Sequence, residues 1–341
     1  MAKLFSLGVL GVGRMGMEHC RQILETPGLR LAAASSRAEQ RVREAEKQFG
    51  IRCYRRHEDL LRDPQLQWVV IATTSDQHAR WALEAIACGK ELIIEKPVAL
   101  SYRETEEIFS AAEKRGLRVT VYQSRRWDRD FELVRELLRE GLLGEVYRIE
   151  SRRTSYSAGW GGWGAQGMEN PWRLKKSYGG GMLNDWAPHL VDQLLLLVPS
   201  RPVGVFAWAE GRLWTREVDD HFWAEIRFAD GLSARVEASN NHRLPLPRWC
   251  LVGSAGTLQV GGGGSDSWNE GVLRREFHGI PEQTRFDISQ SELASGFYPC
   301  LAEALAEGRP LPVQPGEVLA VMELIEAIKA SAAAGKEVTL T

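Results

Sequence analysis

Three side chains set far apart in this sequence, Lys96, Asp185 and His189, are the types that moving a hydride to or from a carbinol carbon would need. As such a carbon is oxidised its hydroxyl proton must leave, and a base within reach together with a cation near the developing alkoxide lowers that barrier. Asp185 and His189 have i,i+4 spacing, so on a helix they share a face and the carboxylate can orient the imidazole. His189 is assigned as acid/base, Asp185 as its partner or a substrate ligand, and Lys96 as the positive charge. A lone histidine is more often structural. Here the Asp185/His189 pair follows Gly179-Gly180-Gly181 and accompanies a lysine turn, Glu95-Lys96-Pro97, that closes the apolar run Leu92-Ile93-Ile94. Pro188, directly before the histidine, is tolerated in the first helical turn, so the helix is expected to begin near Asn184 or Asp185. Asp192, one turn further on, either joins the site or satisfies a neighbour.

A hydride needs a carrier, and Gly11-Val12-Gly13-Arg14-Met15-Gly16 has the dinucleotide spacing: a tight turn, close backbone approach to a pyrophosphate, and close helix–strand packing. Alone, that motif is weak; here it follows an apolar run and opens a helical pattern. The end of the second strand reads Ser35-Ser36-Arg37. Two hydroxyls and a guanidinium suit the 2'-phosphate of NADP, whereas an acidic residue there would hold the ribose diol of NAD. NADP(H) is therefore favoured and NAD(H) is the alternative, since Arg37 could simply be solvated and Glu39 could reach a ribose hydroxyl. Thr73, Thr74 and His78 would line the dinucleotide farther along, unless that loop only caps the next helix, and Glu95 and Lys96 complete the set. For a substrate, Tyr122, Gln123, Arg125, Arg126 and Trp127 should face a cleft, joined by Trp172 and Arg173. Aromatic faces stack on the C–H surface of a sugar or cyclitol ring while arginine and glutamine donate to its hydroxyls. Ten of the twelve tryptophans lie between Trp127 and Trp268, and Trp208, Trp223 and Trp249 are read as packing a sheet.

The elements that would position these residues are legible as two patterns. From Ser6 to about Tyr122, apolar runs (Ser6–Val12, Leu29–Ser35, Trp68–Ala72, Glu91–Ile94, Arg118–Tyr122) alternate with helical segments such as Arg41–Phe49 and His78–Cys88, which implies right-handed crossovers and a parallel sheet. Ser101-Tyr102-Arg103-Glu104 is a capping box starting the helix after the lysine turn, so Lys96 sits in a loop at the carboxyl end of a strand, where open α/β sheets bind ligands. After Gly141 and Gly144, strand-like runs (Val146–Arg153, Val203–Glu210, Phe222–Phe228, Ser233–Ser239, Arg248–Val252) follow one another, with Asp230-Gly231 as a hairpin turn. The fold class expected is α/β: an N-terminal Rossmann doubly wound parallel sheet, residues 1–123, plus a C-terminal α/β domain with a mostly antiparallel open sheet, residues 124–341. The final helix, roughly Gly316 to Ala334, is expected to pack back on the first domain or between the two. Ser155 to Gly181, with Trp160, Trp163 and Trp172 among many glycines, reads as a long functional loop.

At 341 residues two domains are the first expectation. A formal charge of -2 and a pI near 6.4 supply no long-range field for nucleic acid or anionic membrane, which favours a small-molecule partner. Five cysteines, odd in number and without a C-x-x-C pair, argue against a disulfide framework or a zinc site, so no metal is expected and the cytoplasm is the natural compartment. The apolar start Leu4 to Val12 is short and runs into the glycine turn, so it reads as a strand rather than an export signal, and a soluble protein is expected.

Together these residues resemble the glucose-fructose oxidoreductase / inositol dehydrogenase family (Gfo/Idh/MocA) over almost the whole chain. The likeness comprises the glycine turn, Glu95-Lys96-Pro97, the triple glycine before Asp185 and His189, Val218-Asp219-Asp220, Gly253-Ser254-Ala255-Gly256-Thr257-Leu258 and the closing Gly335-Lys336-Glu337-Val338. Val121 to Phe131 and Asp192-Gln193 look most like the NADP-dependent scyllo-inositol dehydrogenase branch. The resemblance implies that Lys96, Asp185 and His189 act on the reacting alcohol of a polyol or keto-sugar, and that the open C-terminal sheet makes homodimers or homotetramers. The Ser155–Gly181 loop and Trp186-Ala187-Pro188 depart from the branch where small residues would be expected. Two other readings compete: a catalytically silent nucleotide or sugar sensor, and a sugar dehydrogenase with tightly held NAD.

Overall fold

The computed structural model describes residues 4–156, 172–261, 269–277, 280–287, 289 and 296–340. Trp160, Trp163, Trp268 and most of the expected long loop lie outside the described residues. The chain divides into two compact units, residues 1–123 with 295–320 and residues 124–294 with 321–341.

The first unit is built on a six-stranded parallel sheet in the order β3-β2-β1-β4-β5-β6. In chain order it runs β1 (Phe5–Leu10), α1 (Arg14–Glu25), β2 (Leu29–Ser35), α2 (Glu39–Phe49), β3 (Arg52–Tyr54), α3 (His57–Leu61), β4 (Trp68–Ile71), α4 (His78–Ala87), β5 (Glu91–Ile94), α5 (Tyr102–Glu113) and β6 (Val119–Val121). Every residue of β1 and β4 is buried, as central parallel strands covered on both faces must be. The covering helices show the complementary stripe: α1 buries Gly16, His19, Cys20 and Ile23, and α5 buries Thr105, Ile108, Phe109 and Ala112, both at i, i+3, i+4, i+7. The capping box is present, with Ser101 accepting from the Glu104 backbone and the Glu104 side chain accepting from the Ser101 backbone. β3 carries no apolar run because only three residues pair, one of them exposed, which is why it escapes the sequence pattern. Strand order reverses between β1 and β4, the place where doubly wound sheets open a crevice.

The second unit contains α6 (Arg129–Arg139), β7 (Val146–Thr154), α7 (Met182–Leu197), β8 (Pro202–Glu210), β9 (His221–Phe228), β10 (Ser233–Ser239), β11 (Trp249–Gly253), β12 (Gly256–Val260), β13 (Glu270–Phe277) and β14 (Ile280–Asp287). α8 (Phe297–Glu307) belongs to the first unit, α9 (Pro315–Ala334) starts there and continues into the second, and β15 (Val338–Thr339) closes the chain. The nine strands order as β14-β13-β12-β11-β7-β10-β9-β8-β15, antiparallel apart from the β10–β7 pair among the described residues. Asp230-Gly231 does turn β9 into β10, with Gly231 at a φ of 92° and the Phe228 amide bonded to Leu232 at 2.9 Å. Alternation separates two faces: Phe222, Ala224, Ile226, Ala234, Val236 and Ala238 are buried on one, while Trp223, Glu225 and Arg235 occupy the other. Trp249 is fully buried, while Trp208, opposite Trp223 across the β8–β9 pair, lies on the sheet face that stays 44% exposed at this residue.

Helix α7 begins two residues before the earliest expected start and encloses Pro188. The cause is a cap from outside the helix: the Asp219 carboxylate accepts from the Leu183 amide at 2.7 Å and its carbonyl accepts from the Met182 amide at 3.0 Å. With those first donors satisfied from the loop before β9, the helix extends backwards to Gly181, whose φ of 103° and closeness to Asp219 exclude a side chain.

Candidate active site

The carboxyl ends of β1 and β4 carry the glycine turn, and its three glycines are needed for three different reasons. Gly11, at a φ of 99°, passes so close to the next strand that a Cβ would lie 2.7 Å from the Ala72 carbonyl oxygen. At Gly16 a Cβ would fall 1.8 Å from the Gly11 carbonyl oxygen, so this glycine lets α1 dock on the turn. A Cβ at Gly13 meets nothing within 4 Å. Gly13 is also the N-terminal boundary of α1 and provides no side-chain cap, so the helix start presents amide donors beside open space that suits a pyrophosphate. Arg14 is exposed and Met15 half-buried at the first helical positions.

At the end of β2 the Ser35 hydroxyl turns inward to His57 Nδ1 at 2.8 Å, while Ser36 and Arg37 stay accessible. The amide of Ser36 donates to Tyr54 at 3.0 Å, and Arg55 reaches the Arg37 carbonyl at 3.3 Å, bringing a second guanidinium beside Arg37. Glu39 is held by Arg43 and Arg55, at 2.6 and 3.1 Å. Burial, and then the nearby Arg37 charge, hold the His57 imidazole down at about 4, so it stays neutral near pH 7. Arg55 was not among the expected cofactor residues, because it follows a strand the sequence pattern does not show.

After β5, the Glu95 carboxylate is buried at 5% exposure and is pinned by His19 Nε2 at 3.0 Å and by the Lys96 amide at 3.0 Å. His19 Nδ1 meets the Tyr298 hydroxyl at 2.7 Å, which continues this buried chain into α8. Burial alone would raise Glu95, but His19 and then Lys96 outweigh it and keep the carboxyl below the usual range. The two ring nitrogens of His78 lie 2.7 Å from the Pro97 carbonyl and 3.2 Å from the Thr73 carbonyl, so the side chain, with one N–H to donate when neutral, sits between the loops after β4 and β5. Lys96, Thr73 and Thr74 are half-buried at those strand ends. Tyr122 is buried with its hydroxyl donating to Gln22 at 2.9 Å and its ring edge-on to His19 and Phe297, and Gln123 is 2% exposed.

In the second unit, α7 presents Asp185 and His189 one turn apart, half-buried and 6% exposed respectively. Arg173 Nε lies 3.5 Å from Asp185 Oδ1, and the same guanidinium stacks 4.4 Å over Trp172. Trp186 packs edge-on to His189 with ring centroids 5.7 Å apart, while Arg125 and Arg153 lie over the Trp186 ring at 4.5 and 5.3 Å. A bulky residue where a small one was expected thus buttresses the histidine. Arg125 also pairs with Asp128 at 2.7 Å, and Trp127 is half-buried in the same turn. Arg126 differs from the expected substrate contact: it is 7% exposed and grips both Asp192 oxygens, at 2.8 and 2.6 Å, anchoring α7. Below it, fully buried Arg248 reaches Gln193, Ser151 and Asp130, and burial lowers it to about 10.

Residues 5–123 match the Gfo/Idh/MocA oxidoreductase family with its NAD-binding Rossmann fold, and residues 131–259 match the GFO/IDH/MocA C-terminal domain. The chain belongs to the Gfo/Idh/MocA family. A solved NAD-binding protein from Listeria innocua is 31% identical, with a TM-score of 0.87 over 99% of this chain and 97% of that one. Among characterised relatives, the scyllo-inositol 2-dehydrogenase (NADP(+)) IolW of Bacillus subtilis (strain 168) is 26% identical over 79% of this chain and 78% of its own length. A levoglucosan dehydrogenase of Pseudarthrobacter phenanthrenivorans is 28% identical over 69% and 67% respectively. As a Gfo/Idh/MocA member the chain is an oxidoreductase with an NAD(P)-binding Rossmann domain. Nothing in the sequence singled out Arg153, whose partner Trp186 lies 33 residues away, and Asp219 stood out only within Val218-Asp219-Asp220, not as the acceptor that caps α7 at Leu183, 36 residues away.

Proposed function

We propose that this Gfo/Idh/MocA member is an NADP(H)-dependent oxidoreductase interconverting a secondary alcohol and a ketone on a sugar or cyclitol. The observation that carries the coenzyme choice is the paired Arg37 and Arg55 beside Ser36, with Glu39 held in ion pairs: this edge suits a phosphate dianion better than a ribose diol. The open space at Gly13 and the start of α1 fit the pyrophosphate. When bound, the coenzyme accepts or returns the hydride. His189 takes the hydroxyl proton as the carbon–hydrogen bond gives up its electron pair, Asp185 orients the histidine or a substrate hydroxyl, and Lys96 stabilises the developing alkoxide. Trp172 and Arg173 offer the aromatic face and donors that a polyol ring uses. NADP-linked inositol dehydrogenase and sugar dehydrogenase relatives support the substrate class. On the same reading, the open face of the second sheet, with Phe206 37% and Trp208 44% exposed, serves subunit contact.

The test is steady-state oxidation of a panel of cyclitols, aldoses and anhydrosugars, and reduction of their ketones, with NADP and NAD in parallel. Turnover with NADP is expected, with kcat falling roughly 10²–10⁴-fold in Lys96→Ala and His189→Ala. Nucleotide binding without turnover across the panel would replace the enzyme by a sensor.

A further inference from the structure

A further constellation lies in the second unit, on residues to which hydride transfer assigns no role. His221 on β9, Glu237 on β10 and His242 just past β10 bring their ligand atoms within 4.8 Å of one another. His221 Nε2 lies 3.2 Å and His242 Nε2 lies 3.6 Å from the same oxygen, Glu237 Oε1. Both imidazoles therefore aim one nitrogen at one carboxylate oxygen, and the longer separation exceeds a hydrogen bond. Ligand bonds of about 2.0–2.2 Å at tetrahedral angles place neighbouring donor atoms roughly 3.3–3.6 Å apart, close to the two separations from Glu237.

The surroundings hold this arrangement. Strand register puts Arg152, Glu237 and Trp223 in one cross-strand row and Glu150, Arg235 and Glu225 in the next. The other Glu237 oxygen, Oε2, is met by Arg152 at 3.4 Å and Arg235 at 3.3 Å. Those guanidiniums do not leave the patch positive, because Arg152 also pairs with Glu150, Arg235 with Glu225, and Arg148 with both of these glutamates. Three arginines face three carboxylates. The His242 segment is fixed from behind: its amide donates to Ser155 at 3.0 Å, and Asn241 reaches Asp220 at 2.8 Å. Asp220 in turn collects the amides of Arg212, Leu213 and Trp214. The His221 and His242 side chains are 23% and 26% exposed, so an ion and one water can enter.

We propose that His221, Glu237 and His242 form a divalent-metal site for a Zn2+-class cation, with water as the fourth ligand, which ties β9, β10 and the loop after them together. Two nitrogens and one carboxylate on a rigid sheet are the donor set of that ion class. The site requires nothing of the coenzyme or the polyol.

Full-length protein without a histidine tag, stripped with chelator, is titrated with ZnSO4 by calorimetry, with CoCl2 as a spectroscopic probe. One Zn2+ per chain and the intense visible bands of four-coordinate Co2+ are expected, together with a rise in Tm on adding Zn2+. His221→Ala and His242→Asn should each weaken Zn2+ at least tenfold and remove the Co2+ bands, with far-ultraviolet circular dichroism unchanged. Should Glu237→Gln disturb folding through its arginine partners, the two histidine variants still decide. No stoichiometric uptake by the unmutated protein, or equal uptake by both histidine variants, overturns the site and leaves only a hydrogen-bonded ion-pair lattice.

Discussion

Gly13 and Gly16 lie in one turn, yet substitution should separate coenzyme binding from folding. Gly13→Ala adds a methyl group to open space at an ordinary backbone conformation, so Tm should not move. Where a pyrophosphate occupies that space, affinity for NADP falls roughly tenfold or more. Gly16→Ala instead drives a methyl into the Gly11 carbonyl and should lower stability by about 1–3 kcal/mol, read by thermal denaturation. Charge at the end of β2 gives the companion experiment. Removing either guanidinium, by Arg37→Ala or Arg55→Ala, should raise KM for NADP about 10–100-fold while leaving KM for NAD almost unchanged, because a charge-assisted bond to phosphate is worth about 1.5–3 kcal/mol. Equal losses with both nucleotides would count against a phosphate-binding edge. Arg37 was readable from its place after the second apolar run; Arg55 was not, because its neighbour exists only once β3 pairs with β2.

At the scale of elements, α7 shows how a helix start can be decided elsewhere in the chain. Local rules place the start near Asn184 because of Pro188, but Asp219 satisfies donors at the earlier end. Asp219→Ala should therefore cost about 1–2 kcal/mol, and Asp219→Asn less, since the amide oxygen still accepts. Because Asp185 sits in the first turn that Asp219 secures, the alanine variant should also lose kcat, whereas a purely distant cap would change Tm alone. Apart from β3, the parallel strands of the first unit and the capping box at Ser101 are visible in sequence because each depends on a short local pattern. β13 and β14 were missed for the opposite reason: their residues are polar or exposed on much of their length, so no apolar alternation marks them, while β12 offers only Leu258 and Val260 around Gln259, too short an alternation to stand out.

For the molecule as a whole, His57 makes the stability of the first unit depend on pH with a definite sign. Its folded value is depressed to about 4 by burial first, and the unfolded chain titrates near 6.5, so the unfolded state binds more protons between those values. Stability is complete above about pH 6.5 and falls as the pH drops towards 4, by an amount on the order of 2–3 kcal/mol. The expected result is a Tm that declines through this window, and a flatter decline in His57→Gln even if that variant starts lower at pH 7. An unchanged slope would mean that other groups, such as His78 or His242, whose values are also lowered by burial, carry the acid sensitivity. No helix among the described residues is long and apolar enough to cross a membrane.

The sequence by itself determined the class of the fold, the glycine turn, the lysine at a strand end and the i,i+4 spacing of Asp185 and His189, because each is written within a few consecutive residues. Only tertiary structure decided that Arg126 and Asp192 neutralise each other, that Arg125 and Arg153 brace Trp186 beside His189, and that His221, Glu237 and His242 face one point. These contacts join residues between 5 and 66 positions apart. The strand register and helix packing that bring them together depend on burying whole faces, a condition that no single stretch of sequence contains.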